Sequence, residues 1–244
     1  AENVGLATEE QFNVLGTAPF VVVIAPKADL YLDPAMTILC GFVRMGARLA
    51  RIADHGDRIE VLVPARQPDG TVALVPGFAA ADQVHDGYLP YTPRQVFLQA
   101  FKMLNQPYGW GGMYGGQDCS KFLQEVFATV GIELPRDSKN QIQTGEALAA
   151  WPAGAPIDDK LRLLRESAVG GITFLGMKGH IMLYLGTVDG RAYAIHSLWA
   201  YRRSRGGRDD TFVVNRVAVS DLTLGEGSRR GSLLERLNAV KIVR

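Results

Sequence analysis

At 244 residues the chain is long enough for one large or two small domains, and 26 Lys+Arg against 25 Asp+Glu leave a net charge of +1. That balance gives no general footprint for nucleic acid or an acidic membrane surface. With 47% hydrophobic and 21% charged residues, a long disordered or collagen-like chain is excluded. No run of eighteen apolar residues is present, and two cysteines, Cys40 and Cys119, are too few for a disulfide scaffold. Because Ala1 rather than Met opens the chain, a removed signal peptide, upstream segment or cloning boundary is expected.

From Pro19 to about Gly77, short β-like runs alternate with turn residues: Phe20–Ile24, Asp29–Leu32, Arg48–Ala53, Arg58–Val63 and Val72–Val75. Asp54-His55-Gly56-Asp57 and Gln67-Pro68-Asp69-Gly70 punctuate them as hairpin turns. Five short strands suggest a small SH3-like β-barrel, with an irregular β-appendage as the plainer alternative. Residues 1–88 are thus read as an N-terminal arm and barrel.

After the turn-rich Asp86–Pro93 the hydrophobic period changes from two to 3.6, which makes residues 89–244 a second domain. Thr92 caps a helix with Pro93 at its first position, and Val96, Phe97, Ala100, Phe101 and Leu104 form one face. A second helical section is expected over Ser138–Ala150. Strand character returns at Ile181–Leu185, Ala192–Ile195 and Phe212–Val219, so the domain reads as α+β, helices first and an antiparallel sheet later.

From Cys119, Phe122, Leu123, Val126, Phe127 and Val130 mark one stripe of an amphipathic helix that Gly131 stops. Asp118 is a suitable N-cap, so Cys119 falls in the first turn, where free backbone N–H groups and the helix dipole favour a thiolate. The same N–H groups suit the oxyanion of a tetrahedral intermediate. Ahead of it, Gly109, Gly111, Gly112, Gly115 and Gly116 permit close backbone approach, with Tyr108, Trp110 and Tyr114 as walls. A buried, inert thiol is the plainer reading of Cys119 taken alone, as it is for Cys40.

Four histidines are available as partners. His55 lies in a hairpin turn and His85 in the linker, which leaves His180 and His196 on either side of Gly186–Gly190. A five-residue loop sets His180 directly across from His196, whereas a tight Asp189-Gly190 turn brings His196 near Leu183 instead. In the first register, His180 serves Cys119 as general base and acid while His196 fixes its orientation, a Cys-His-polar triad. A Cys-His-His metal centre is the competing reading, but it lacks the fourth ligand of a structural zinc site.

These motifs resemble the NlpC/P60 family of papain-like cysteine peptidases. The likeness is carried by Tyr108-Gly109-Trp110-Gly111-Gly112, Asp118-Cys119-Ser120, Leu134-Pro135-Arg136-Asp137-Ser138, Gly179-His180 and Ile195-His196. With the β-rich region in front, the chain resembles the family's γ-D-glutamyl-L-diamino acid endopeptidases that bear a bacterial SH3 domain. The resemblance implies Cys119 as nucleophile, His180 as base and His196 as third polar residue. It also implies hydrolysis of the bond between D-Glu and the diamino acid in L-Ala-γ-D-Glu-diamino acid peptides of peptidoglycan, with no cofactor. Asp118 would then meet the L-Ala ammonium and Ser120 the D-Glu carboxylate. Tyr108 and Trp110 would line the pocket, and the barrel would either narrow the cleft, with Tyr31 or a loop residue approaching Asp118, or simply bind wall. Such a substrate favours the periplasm or cell envelope, with cytoplasmic recycling as the alternative. Two positions depart from the pattern: Lys121 stands where a small residue is usual, and Gly170-Gly171-Ile172 lacks the usual Asp. A murein amidase or transpeptidase, or a cell-wall-binding module with an idle cleft, are the competing functions.

Overall fold

The computed structural model describes residues 7–244, so residues 1–6 of the expected N-terminal arm lie outside the described residues. The chain divides into two units, one running to Pro90 and including residues 128–131, the other Tyr91–Phe127 with Ile132–Arg244.

In the first unit, α1 (Glu9–Thr17) begins at a capping box: Thr8 accepts from the Gln11 amide and Gln11 bonds back to Thr8. Seven strands follow: β1 (Phe20–Val23), β2 (Lys27–Tyr31), β3 (Leu39–Arg44), β4 (Arg48–Asp54), β5 (Arg58–Arg66), β6 (Val72–Ala80) and β7 (Val84–Asp86). They pair in the order β3-β2-β6-β5-β4-β1-β7. The two edges do not pair with each other among the described residues, so the sheet is not closed. Alternation on β5 buries Ile59, Val61 and Val63 against Val21, Val23, Leu30 and Leu49.

Two strands exceed the five expected. β3 escapes the pattern because it is an edge strand whose Leu39, Cys40 and Phe42 all face out. Cys40, expected in the core, is therefore exposed. His55 bonds Glu60 at 3.0 Å and His85 the Gly87 carbonyl at 3.2 Å, both local contacts.

The second unit carries α2 (Pro93–Lys102), α3 (Cys119–Ala128), α4 (Ser138–Gln141), β8 (Glu146–Ala150) and α5 (Ile157–Glu166). It continues with β9 (Thr173–Met177), β10 (His180–Val188), β11 (Arg191–Arg205), β12 (Arg208–Asp221), α6 (Leu233–Arg236) and β13 (Ala239–Ile242). Its six strands pair antiparallel in the order β12-β11-β10-β9-β13-β8. Helices thus precede most of the sheet, the mixed helix and antiparallel-sheet arrangement that the pattern suggested.

Thr92 caps α2 as its sequence predicts, accepting from the Gln95 amide. The buried face is Val96, Gln99, Ala100 and Met103, and Phe101 is exposed. The expected face fails at its far end because the helix stops at Lys102, leaving Leu104 in a turn beyond it. The helix expected over 138–150 is likewise only the single turn of α4. Gly145 has φ 84, and a side chain there would run into the Ile242 carbonyl, so the chain turns and the Ala-rich 146–150 becomes an edge strand on β13.

α3 buries Phe122, Leu123, Val126 and Phe127 completely, and Phe127 meets Phe174 of β9 edge-on at 4.9 Å. Each such side chain contributes about 1.5–3 kcal/mol of burial. This stripe seats the helix on the sheet and fixes where its first turn lies.

Candidate active site

Cys119 is the first residue of α3, and Asp118 caps it: the Lys121 amide donates to Asp118 Oδ1 at 2.7 Å. Cys119 is buried, and the amide of Ile181, the residue after His180, points at its sulfur together with the amides of Ser120 and Cys119 itself. The start of α3 and the start of β10 thus meet at the sulfur.

Asp189 and Gly190, both with positive φ, make a two-residue turn between β10 and β11. The five-residue loop is therefore not adopted, and Val188 pairs with Arg191. A uniform ladder from that turn sets Leu183 against His196 and puts His180 on the opposite face. A bulge between Tyr184 and Gly186 shifts the register by one, so that Leu183 pairs with Ile195. Continued, this register places Met182 across from His196 and His180 one diagonal step away on the same face. The rings meet there, His180 Nε2 lying 2.7 Å from His196 Nδ1.

His196 is fully buried in mid-strand, rather than closing β11, and its Nε2 lies 3.0 Å from Ser220 Oγ. Ser220 is again a diagonal neighbour, because His196 pairs with Ala218 on β12. Sequence reasoning missed Ser220, since nothing local marks one serine of a long strand.

Residues 105–203 match the NlpC/P60 family. The chain carries an NlpC/P60 domain. A gamma-D-glutamyl-L-lysine dipeptidyl-peptidase of Bacillus cereus is 30% identical over 154 residues, covering 59% of this chain and 42% of that protein. The Bacillus subtilis protein of the same name is 35% identical over 92 residues, covering 35% of this chain and 29% of its own. The chain thus spans less than half the length of these curated relatives. Two solved structures share the fold. An NlpC/P60 endopeptidase from Photobacterium damselae subsp. piscicida has a TM-score of 0.75 at 20% identity, covering 96% of this chain and 55% of that one. An NlpC/P60 family protein from Bacillus cereus has a TM-score of 0.61 at 21% identity, covering 96% and 68%.

Within the NlpC/P60 domain, Arg136 reaches the cap of α3. Its guanidinium donates to both Asp118 oxygens, at 3.1 and 2.6 Å, and to Ser120 Oγ at 3.0 Å. Ser120 Oγ itself donates to Asp118 at 3.0 Å. Burial acts to raise the Asp118 carboxyl, but Arg136, the Lys121 amide and Ser120 outweigh it and hold it below its usual range. Gln141 of α4 bonds the carbonyls of Ser120 and Pro135, both at 2.8 Å, and ties this cluster to the next helix.

The glycine-rich loop of the NlpC/P60 domain approaches itself rather than open space. A side chain on Gly109 would lie 2.7 Å from Gly116 Cα, and one on Gly116 2.7 Å from Gly109 N, so the two backbones pack face to face. This closure holds Tyr108 and Trp110 beside Trp199, with ring centroids 5.2–6.1 Å apart. Tyr114 instead points into solvent. Lys121 lies across the loop at Gly112 and reaches toward Glu125, 3.9 Å away. Tyr31, by contrast, belongs to β2 of the first unit, paired with Phe78.

The electrostatics correct one expectation. Burial pushes the Cys119 thiol up, the Asp118 carboxylate adds to the rise, and the three amides oppose it without prevailing. Burial outweighs the helix start because the capping carboxylate both occupies an amide of the first turn and sits beside the sulfur. His180 is pushed down to about 4, by burial first and then by Arg236 and Arg230. Burial and its neighbour hold His196 well below its ordinary value. Both shifts favour the neutral forms, the thiol of Cys119 and the imidazole of His180.

Proposed function

We propose that this chain is a cysteine peptidase that hydrolyses the γ-D-glutamyl-L-diamino acid bond of peptidoglycan-derived peptides, with Cys119, His180 and His196 as its catalytic residues. The observation that carries the reading is the hydrogen-bonded line from Ser220 through His196 to His180, whose strand begins where the Cys119 sulfur meets Ile181.

On this reading the line supports one proton order. For His180 to accept a proton at Nδ1, its Nε2–H must donate to His196 Nδ1, so His196 carries its own proton on Nε2 and donates it to Ser220. Cys119 Sγ attacks the γ-carbonyl carbon as its proton passes to His180 Nδ1, and the amides at the start of α3 face the oxyanion. The intermediate collapses with cleavage of the C–N bond, and the imidazolium protonates the departing amine. Water then attacks the thioester, His180 takes its proton, and the acyl product leaves as a γ-carboxylate while the thiol is restored.

On the acyl side, Asp118 receives the L-Ala ammonium, while Ser120 and Arg136 hold the D-Glu α-carboxylate. Tyr108 and Trp110 wall the cleft. The first unit is proposed as an SH3-like module, and the substrate favours action in the periplasm or cell envelope.

The reading is tested by mass spectrometry of products from L-Ala-γ-D-Glu-L-Lys. Release of L-Ala-D-Glu and free lysine is expected. Binding to sacculi with no cleaved peptide bond, or release of glycan-linked products instead, would overturn it.

A further inference from the structure

We propose that the cavity beside His180 is the leaving-group site, where Arg230 and Arg236 bind the free α-carboxylate of the departing diamino acid. The inference rests on the peptidase reading above, and it adds a requirement for an acidic leaving fragment. The cavity holds about 170 Å³ and is lined by Tyr108, Trp110, Trp199, His180, Arg230 and Arg236, among others. Asp118, Cys119 and Ser120 are absent from its walls. The group that His180 protonates is the leaving amine, so the residue bearing that amine extends into the space His180 borders.

That space has two chemistries. Three aromatic rings form one wall, suited to an aliphatic side chain. Arg230 and Arg236 stand on the other side, with Arg202 and Lys178 also lining the cavity, and neither Arg230 nor Arg236 has a carboxylate within ion-pair distance among the described residues. Arg236 is only partly exposed, and burial together with Arg230 works against its charge, a cost that a bound anion relieves. The position is built: Lys160, fully buried, donates from Nζ to the carbonyls of Leu234 and Glu235 at 3.1 and 2.9 Å, pinning the turn that carries Arg236. A guanidinium pair offers a carboxylate forked, charge-assisted hydrogen bonds.

The test has two arms. In the first, cleavage of L-Ala-γ-D-Glu-L-Lys is compared with cleavage of the same peptide ending in L-lysinamide. The free acid should be cut about tenfold faster in kcat/KM, the value of one charge-assisted bond, and Arg236→Gln should bring the two together. Arg230→Gln, on an exposed residue, serves where Arg236→Gln does not fold. In the second arm, tryptophan fluorescence of Cys119→Ala is titrated with L-lysine and with L-lysinamide, and the acid should bind about tenfold tighter. Equal cleavage of acid and amide overturns the leaving-group site while leaving the peptidase intact. Absence of cleavage with retained selectivity for lysine overturns the peptidase and leaves the carboxylate site standing. Equal titrations, or no response to either ligand, overturn the site.

Discussion

Ser220 Oγ lies 3.0 Å from His196 Nε2, so the imidazole that meets His180 is itself held from its far side. Ser220 touches no reacting atom in the proposed mechanism and acts as a positioning residue. Ser220→Ala should lower kcat about tenfold with little change in KM, the loss of one hydrogen bond that keeps His196 in the required tautomer. Ser220→Thr should restore most of it. A purely structural role would instead lower Tm in both variants and leave kcat per folded enzyme unchanged.

The two imidazoles, His196 fully buried and His180 half-buried, make stability pH-dependent. His180 has an ordinary value of 6.5 and a folded value of about 4. Between these the unfolded chain binds the proton and the folded chain does not. Stability present above pH 6.5 is therefore lost as pH falls toward 4, by roughly 3 kcal/mol for His180. His196 acts in the same direction. Asp118, held below its ordinary 3.8, loses its contribution only beneath that window. Urea unfolding at pH 7.5 and 4.5 checks this, with a much smaller difference expected in His180→Gln/His196→Asn. An equal difference in that variant would contradict the assignment.

Much of this site was legible because its signals are local. The Asp118 cap and the stripe from Phe122 to Val130 use helix spacing, and α3 follows them. What the sequence hid depends on partners far along the chain. The bulge between Tyr184 and Gly186 decides the face of His180, yet no residue there announces an extra step in the ladder. Ser220 reaches its place through a neighbouring strand. Glu146–Ala150 reads as helix by composition, but pairing with β13 makes it a strand. Cys40 looked like core because it sits among apolar residues, and it is exposed because β3 has a neighbour on one side only.

Asp118 has two separable tasks. Asp118→Asn keeps an N-cap for α3, so stability should change by less than about 1 kcal/mol. Loss of the charge should raise KM about tenfold for peptides with a free L-Ala amine and leave the slower cleavage of N-acetylated peptides unaltered. Steady-state kinetics on the two peptides check this. An equal loss on both would reduce Asp118 to a cap and a partner of Arg136.

The central claim is that the Cys119 sulfur forms the bond to the substrate carbonyl. It is tested most directly by the kcat/KM of Cys119→Ala on L-Ala-γ-D-Glu-L-Lys, with folding verified by an unchanged far-ultraviolet spectrum. The account predicts a loss of about a thousandfold or more. Turnover within tenfold of the wild-type chain would contradict it.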